Sequence, residues 1–397
     1  METRTDMYTD DFSALRTLYA SGEQGEHYEG VSLFRRTFQS TTWNNVYHGR
    51  PRGAADTGAH FQLDRQSTEN HRFPYFVIRP TPGSGKRSDG AILLFHGLNE
   101  KTWEKYLPWA KSLAEQTGKA VILFPIAFHM ERADREWSNP RKMMPVAQQR
   151  QLTYGAKDSS FANAALSVRL QEAPERFLLS GLQTYFDVQQ LVGNIRDGKD
   201  PDVVPAAHVD LFGYSIGAFL TEILLLENPN GLFSSSRGFL FCGGATLGGM
   251  QPASRYILDS PAAHALRTYF TDDFRRKAEA HPRLQWIFER LRSVATLFVS
   301  MLEDSGLREY RSSRLAAVGR RLSAVALRRD RVMPPESVAS TLSLQAQSAA
   351  LHAPRVNVRD FPFEYSHVTP FPIVHTIREE VDVAFRDVFR LAAAHLA

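Results

Sequence analysis

Cysteine is nearly absent from this sequence, which has one, Cys242, in 397 residues. A single cysteine excludes an internal disulfide and indicates a reducing compartment. Its position in an apolar strand favours a small core residue. No apolar run approaches the roughly 18 residues that a membrane span requires. The first residues lack the basic and apolar regions of a secretory signal. These absences favour a cytoplasmic protein.

A large excess of one charge is also missing. The 47 Lys and Arg residues against 43 Asp and Glu give a net charge of +4, and the two signs are interleaved. This pattern does not indicate a nucleic-acid partner. Neither H-E-x-x-H nor paired cysteines occur, so no metal or other cofactor is expected. A small molecule is the expected partner, and the oligomeric state stays open.

Short apolar runs alternate with segments of helical period along most of the chain. This alternation predicts an α/β protein with a doubly wound, mostly parallel sheet. Strands are expected at Phe73–Arg79, Ala91–Phe95, Ala120–Pro125, His208–Phe212, Gly238–Ala245, Leu322–Leu327 and Arg355–Phe361. Helices are expected at Tyr106–Gln116, Arg176–Arg196, from Ala218 onward and at Ile377–Leu391.

The same pattern divides the chain. Residues 1–72 are polar and predict an N-terminal extension with a short helix around Phe12–Tyr19, and residues 73–397 form the main domain. Residues 127–175 predict an irregular insertion, and such a long loop in a compact domain is usually functional. Residues 250–320 predict a helical cap, in which Ser260 and Pro261 suit the N-cap and first position of a helix.

The most informative segment is Gly213-Tyr214-Ser215-Ile216-Gly217, between an apolar strand and an apolar helix. A serine held out at such a sharp reversal needs positive φ, and its neighbours two residues away must lack a Cβ because strand and helix crowd them. The N–H groups that begin the helix point towards an oxyanion formed beside the serine. The segment predicts a nucleophilic Ser215.

With this G-x-S-x-G segment the chain resembles the α/β-hydrolase superfamily over roughly residues 73–395, without matching a named subfamily. The resemblance implies a serine, acid and histidine in that chain order. Asp330, after the Leu322–Leu327 strand, matches the acid, with Asp360 and Glu336 as alternatives. His367, after the last strand, matches the base, and His375 is the alternative.

The resemblance also implies an oxyanion hole formed by two backbone N–H groups. Ile216 would give one, and Leu98 in His96-Gly97-Leu98-Asn99 would give the other. His96 is expected to hold this loop. The residues expected near the substrate are His96, Gly97, Asn99, Trp103, Phe128, His129, Trp137 and Tyr214, although the aromatic ones could equally pack under the cap.

The function implied is that of a serine hydrolase acting on a carboxylic ester or thioester through an acyl-enzyme on Ser215. Two alternatives remain open at the level of sequence. One is an acyltransferase with the same three residues, in which an alcohol replaces water. The other is a scaffold without catalysis that binds a ligand or a protein partner.

Overall fold

The computed structural model describes residues 7–22, 25–41, 67–81, 87–280, 282–302, 306–343 and 353–397. A single sheet of nine strands runs through these ranges. The strands are β1 (Glu26–Tyr28), β2 (Val31–Gln39), β3 (Arg72–Pro80), β4 (Ser88–Phe95), β5 (Ala120–Leu123), β6 (Val203–Tyr214), β7 (Gly238–Phe241), β8 (Leu322–Leu327) and β9 (Arg355–Arg359).

The strands lie in the order β1-β2-β3-β5-β4-β6-β7-β8-β9. The pairs β1–β2, β2–β3 and β3–β5 are antiparallel, and every other neighbouring pair is parallel. The doubly wound, mostly parallel sheet is therefore confirmed. Because β4 and β6 to β9 all run in one direction, the segments that follow them meet at the same edge of the sheet.

Strands β1 and β2 were missed by the sequence analysis. They lie in the segment predicted as an N-terminal extension, yet β2 pairs with β3 from Val31↔Pro80 to Gln39↔Arg72. The segment carries Arg35 and Arg36 in the middle of β2, where side chains alternate between half-buried and exposed. Such an outer strand lacks the continuous apolar run that marks the central strands.

Helices cover both faces of the sheet. In chain order they are α1 (Tyr8–Ser21), α2 (Thr68–His71), α3 (Leu107–Thr117), α4 (Pro140–Tyr154), α5 (Ala164–Glu172), α6 (Arg176–Arg196), α7 (Ile216–Glu227), α8 (Ser260–Thr268), α9 (Phe274–Ala280), α10 (Pro282–Arg290), α11 (Arg292–Ser300), α12 (Arg308–Val318), α13 (Pro335–Leu342) and α14 (Arg378–Leu396). Helices α1, α3 and α14 share one apolar core, and α6, α7 and α11 share the other. Within the described ranges, none of the helices combines the length and apolar character that crossing a bilayer needs.

The insertion predicted as irregular at 127–175 is largely helical instead, since it contains α4 and α5. Helix α4 escaped sequence analysis because its apolar residues do not form one buried stripe, since only Ala147 and Arg150 are buried, and because Pro145 lies inside it. Its start is nevertheless regular, because Asn139 accepts a hydrogen bond from the Arg141 N–H and Pro140 occupies the first turn.

The segment predicted as a helical cap, 250–320, contains α8 to α12. The N-cap of α8 is Asp259, whose side chain accepts from the Ala262 N–H, and not Ser260 as the sequence suggested. Asp259 also forms a buried ion pair with Arg150 of α4, with 2.7 Å between Arg150 Nη2 and Asp259 Oδ1. One carboxylate therefore both caps α8 and joins the cap to the insertion.

Candidate active site

Ser215 lies at the sharp reversal between β6 and α7. Its backbone has φ 55° and ψ −118°, a conformation that costs free energy for a residue with a side chain. A Cβ added to Gly213 would lie 2.4 Å from the Gly217 carbonyl oxygen, and one added to Gly217 would lie 2.4 Å from the Phe95 carbonyl oxygen. The two glycines are therefore required by close packing of helix against strand, as the sequence pattern predicted.

A chain of hydrogen bonds joins Ser215, His367 and Asp330. Ser215 Oγ lies 2.7 Å from His367 Nε2, and His367 Nδ1 lies 2.7 Å from Asp330 Oδ2. A carboxylate only accepts hydrogen bonds, so Nδ1 carries the proton and Nε2 is free to accept from the serine hydroxyl. The three residues are 4%, 5% and 4% exposed.

The Asp330 carboxylate is fixed on both sides. While Oδ2 accepts from His367, Oδ1 accepts from the backbone N–H groups of Val332 at 2.8 Å and Met333 at 2.9 Å. These N–H groups follow Asp330 directly in the loop after β8. The loop therefore orients the carboxylate through its own backbone, and the carboxylate orients the imidazole.

The alternative residues lie elsewhere in the described structure. Asp360 accepts from Arg329 Nε and from the Tyr365 hydroxyl, both at 2.9 Å. Glu336 is exposed in the first turn of α13, and His375 is exposed just before α14. None of these three residues hydrogen-bonds to Ser215 or His367 in the described ranges.

Tyr214 supports the histidine rather than facing a substrate. Its hydroxyl donates to the His367 carbonyl oxygen, and its ring stacks on the imidazole with 5.5 Å between ring centroids. The side chain is 1% exposed, and burial raises the pKa of Tyr214 well above its usual value, which keeps the hydroxyl a donor. Tyr214 does not line the cavity described below, because its ring is buried against the imidazole.

The loop after β4 is held from inside by His96. The Nδ1 of His96 is 2.8 Å from the Gly97 carbonyl oxygen, and its Nε2 accepts from the Ile126 N–H at 2.9 Å. Burial lowers the pKa of His96 well below its usual value, so the ring is neutral. The Gly97 N–H donates to the Tyr106 hydroxyl. His96 and Gly97 thus fix the loop and do not line the cavity described next.

An apolar cavity begins beside Ser215, at Ile216. It leaves about 60 Å³ for the centres of water-sized molecules and is partly open to solvent. Helices α6 and α7 form its walls, and Val294 and Phe298 of α11 close it from the cap. Its lining residues are Leu98, Ile126, His129, Phe177, Leu178, Ser180, Gly181, Leu182, Tyr185, Ile216, Phe219, Leu220, Ile223, Val294 and Phe298.

Leu98 and Ile216 thus lie on one cavity. Neither backbone N–H has a hydrogen-bond acceptor within the described residues. Ile216 is the first residue of α7, where helix geometry leaves the N–H groups without a partner in the helix. These two amides are therefore available for an oxygen atom of a bound molecule.

Three residues predicted near the substrate have structural contacts instead. Asn99 donates through Nδ2 to the Ala162 carbonyl oxygen at 2.9 Å and to that of Tyr256 at 2.7 Å. Trp103 is fully buried in the core shared by α1, α3 and α14, and its indole N–H donates to Glu131 Oε2. The Phe128 ring contacts the Arg169 guanidinium at 4.8 Å. None of these three residues lines the cavity. Each instead connects separate segments of the chain through the contacts just given.

Trp137 likewise packs on Arg169, whose guanidinium carbon is 4.3 Å from a ring centroid of Trp137. The sequence analysis did not single out the residues that do line the cavity, such as Phe177, Phe219 and Phe298. They belong to helices that are apolar on more than one face. The sequence therefore does not separate residues that line a cavity from those that pack in the core.

Of the residues predicted near the substrate, His129 is the one that lines the cavity. Its Nδ1 lies 3.0 Å from the Ala127 carbonyl oxygen, and its Nε2 is buried with no hydrogen-bond partner among the described residues. Burial lowers the pKa of His129 to about 4, so the ring is neutral near pH 7. In the part of the chain that the structure describes, no group of three or more His, Cys, Asp or Glu side chains could hold a metal ion.

Three features of this structure define the α/β-hydrolase class. They are the strand order, the serine at the turn from β6 to α7, and the two segments that bring Asp330 and His367 to the same edge of the sheet. Within that class the chain belongs to the family described as a family of unknown function (DUF6051), whose model matches residues 36–397. No curated protein sequence matches the chain at a significant level.

Several solved structures are similar in fold. A thermostable esterase from Pseudomonas putida shares 13% identity, with 98% of this chain and 90% of that chain covered and a TM-score of 0.46. Carboxyl esterase 2 from Tuber melanosporum shares 12% identity, with 89% and 97% covered and a TM-score of 0.45. An esterase from Pyrobaculum calidifontis shares 12% identity, with 98% and 92% covered and a TM-score of 0.44. Similarity at this level carries no argument about activity.

Proposed function

We propose that this protein is a serine hydrolase that cleaves a carboxylic ester or thioester through an acyl-enzyme on Ser215. The observation that carries the proposal is the unbroken chain of hydrogen bonds from Ser215 Oγ through His367 to Asp330. A serine hydroxyl is a weak nucleophile at neutral pH, and an adjacent base oriented by a carboxylate is what activates it.

In the first step Ser215 Oγ attacks the substrate carbonyl carbon while His367 Nε2 takes the hydroxyl proton. Asp330 stabilises the resulting imidazolium through Nδ1–H, and the N–H groups of Leu98 and Ile216 donate to the oxyanion. The imidazolium then gives its proton to the leaving alcohol or thiol, which departs. Water, activated by His367, releases the acid in the second step.

The surroundings of the serine support this assignment. The strained backbone at Ser215 projects the hydroxyl from the turn, and the helix that follows presents unpaired N–H groups beside it. The cavity next to Ile216 is mostly apolar, which suits the hydrocarbon part of an ester. A small-molecule acyl substrate is therefore proposed.

A fluorophosphonate probe tests the activated serine. The wild-type protein is expected to be labelled, and a folded Ser215→Ala variant is expected to remain unlabelled, as read by intact-mass spectrometry. Labelling of neither protein, with both folded by circular dichroism, would favour a scaffold without catalysis.

The base is tested separately with p-nitrophenyl esters. His367→Ala is expected to lower kcat by about 10³-fold or more, because the serine loses its proton acceptor. His375→Ala is the matched control and should keep the wild-type rate.

Adding a primary alcohol during turnover separates hydrolysis from acyl transfer, since a transferase would form the new ester at the expense of the free acid.

A further inference from the structure

His129 has one ring nitrogen whose hydrogen-bonding capacity is unused. Because the Ala127 carbonyl oxygen only accepts, the Nδ1 of His129 must carry the ring proton at their 3.0 Å separation. The Nε2 is then an acceptor with an available lone pair. It is buried and has no partner within the described residues. A buried acceptor without a partner weakens the folded state unless a ligand or an ordered water satisfies it.

The position of His129 points to a ligand in the cavity. His129 is 6% exposed and lines the same cavity as Leu98 and Ile216. The other polar side chains of the lining already donate to protein groups: the Tyr185 hydroxyl to Glu227 Oε2 at 2.6 Å, and the Ser180 hydroxyl to the Phe177 carbonyl oxygen at 3.1 Å. His129 Nε2 is thus an isolated acceptor in apolar surroundings.

We propose that His129 Nε2 accepts a hydrogen bond from the substrate, so that the site selects esters whose acyl group carries a hydroxyl. This inference rests on the proposed function. The carbonyl carbon would lie at Ser215 Oγ with its oxygen at the amides of Leu98 and Ile216, and the proposal places the acyl chain, rather than the leaving alcohol, in the cavity that these two residues line. A hydroxyl on that chain supplies the donor that no described side chain of the lining gives to Nε2.

Alternative occupants fit this acceptor less well. A carboxylate or a carbonyl group of a ligand offers no proton, and burial keeps His129 itself from gaining one near neutral pH. A purely aliphatic acyl chain would fill the apolar walls but leave Nε2 unpaired. Sites built around a buried polar group discriminate against the analogue that lacks the matching group.

The activity test uses p-nitrophenyl esters of butyrate, 2-hydroxybutyrate and 3-hydroxybutyrate, which share one leaving group. For each hydroxy ester, kcat/KM is divided by that of the butyrate ester, and the result is divided by the same ratio of rate constants for alkaline hydrolysis. In the wild type this corrected ratio is expected to be about ten or more for at least one of the two hydroxy esters. His129→Phe should bring this ratio to about one, and His129→Gln, which keeps an acceptor, should retain part of it. The exposed His264→Gln is the matched control and should retain all of it.

A second measurement does not depend on turnover. In ¹⁵N-histidine-labelled Ser215→Ala protein, His129 should be protonated at Nδ1, and methyl 3-hydroxybutyrate or methyl 2-hydroxybutyrate should shift the Nε2 resonance where methyl butyrate does not. A ratio unchanged by His129→Phe, or an Nε2 that is protonated or insensitive to both hydroxy esters, overturns the inference. Wild-type protein that hydrolyses no ester and is not labelled by fluorophosphonate overturns the proposed function, while the resonance still tests His129.

Discussion

At the scale of single residues, the candidate site depends on which atoms carry protons. His367 accepts from Ser215 only if its Nδ1 is protonated, and the Asp330 carboxylate enforces that state because it cannot donate. The carboxylate is itself held by the Val332 and Met333 N–H groups. A change that keeps the shape of Asp330 but reverses its hydrogen bonding therefore tests the assignment.

Asp330→Asn is expected to lower kcat for ester hydrolysis by about 10³–10⁴-fold with little loss of stability. The amide can donate to Nδ1, which would move the ring proton to Nε2 and leave the serine without a base. The matched control is Asp360→Asn, which should keep kcat within about threefold of wild type, since Asp360 bonds to Arg329 and Tyr365 at the surface. Greater loss in the control than in Asp330→Asn would move the acid role to Asp360.

At the scale of elements, the turn from β6 into α7 fixes how closely the helix approaches the neighbouring strand. Gly217 lies against the carbonyl oxygen of Phe95, the last residue of β4, at a distance that no Cβ tolerates. The same contact sets the separation between the serine and the loop that carries Leu98. Packing of a helix against a strand thus positions two segments of the site together.

Gly217→Ala is expected to lower the free energy of unfolding by about 1–3 kcal/mol or more, because backbone atoms must move to admit the methyl group. Gly193→Ala in α6 is the control. Nothing lies within 4 Å of its added Cβ, so it should raise the free energy of unfolding by about 0.5–1 kcal/mol. Chemical denaturation measures both, and a neutral Gly217→Ala would contradict the close packing.

At the scale of the whole molecule, a carboxyl group is buried in α7, which packs against the sheet on one side and against α11 and α12 on the other. Glu222 of α7 is fully buried, and neither of its carboxyl oxygens has a partner among the described residues. Burial raises the pKa of Glu222 to about 8, and the charge of Arg311 in α12 only partly offsets this. The folded protein therefore holds a proton that the unfolded chain releases at much lower pH.

This proton makes stability depend on pH. Between the ordinary value of 4.5 and about 8, the unfolded chain binds fewer protons at this residue than the folded protein does. The contribution of Glu222 to the free energy of unfolding should therefore fall with rising pH in that window, by at most about 1.4 kcal/mol per pH unit. Glu222→Gln should remove this slope, whereas exposed Glu336→Gln should retain it. Denaturation at pH 5, 6, 7 and 8 measures it, and equal slopes in the wild type and Glu222→Gln would contradict the assignment.

Much of the sheet could be predicted because the central strands are continuous apolar runs. The prediction of Leu322–Leu327 agrees with β8, and that of Arg176–Arg196 agrees with α6. Local chemistry was equally clear at Ser215, where two glycines and a strand followed by a helix describe one turn. The resemblance to the α/β-hydrolase superfamily selected Asp330 and His367 from the segments that follow late strands, and their roles stay a prediction that the variants above test.

The sequence by itself determined the features that depend on neighbours in the chain: the elbow at Ser215, the central strands and the residues that end them. Only the tertiary structure decided which side chains meet across long separations. It turned Tyr214 behind His367, committed Asn99 to the cap and Trp103 to the opposite core, and left His129 on the cavity. Local preferences act over a few residues, whereas these placements depend on the packing of segments hundreds of residues apart, which no local pattern encodes.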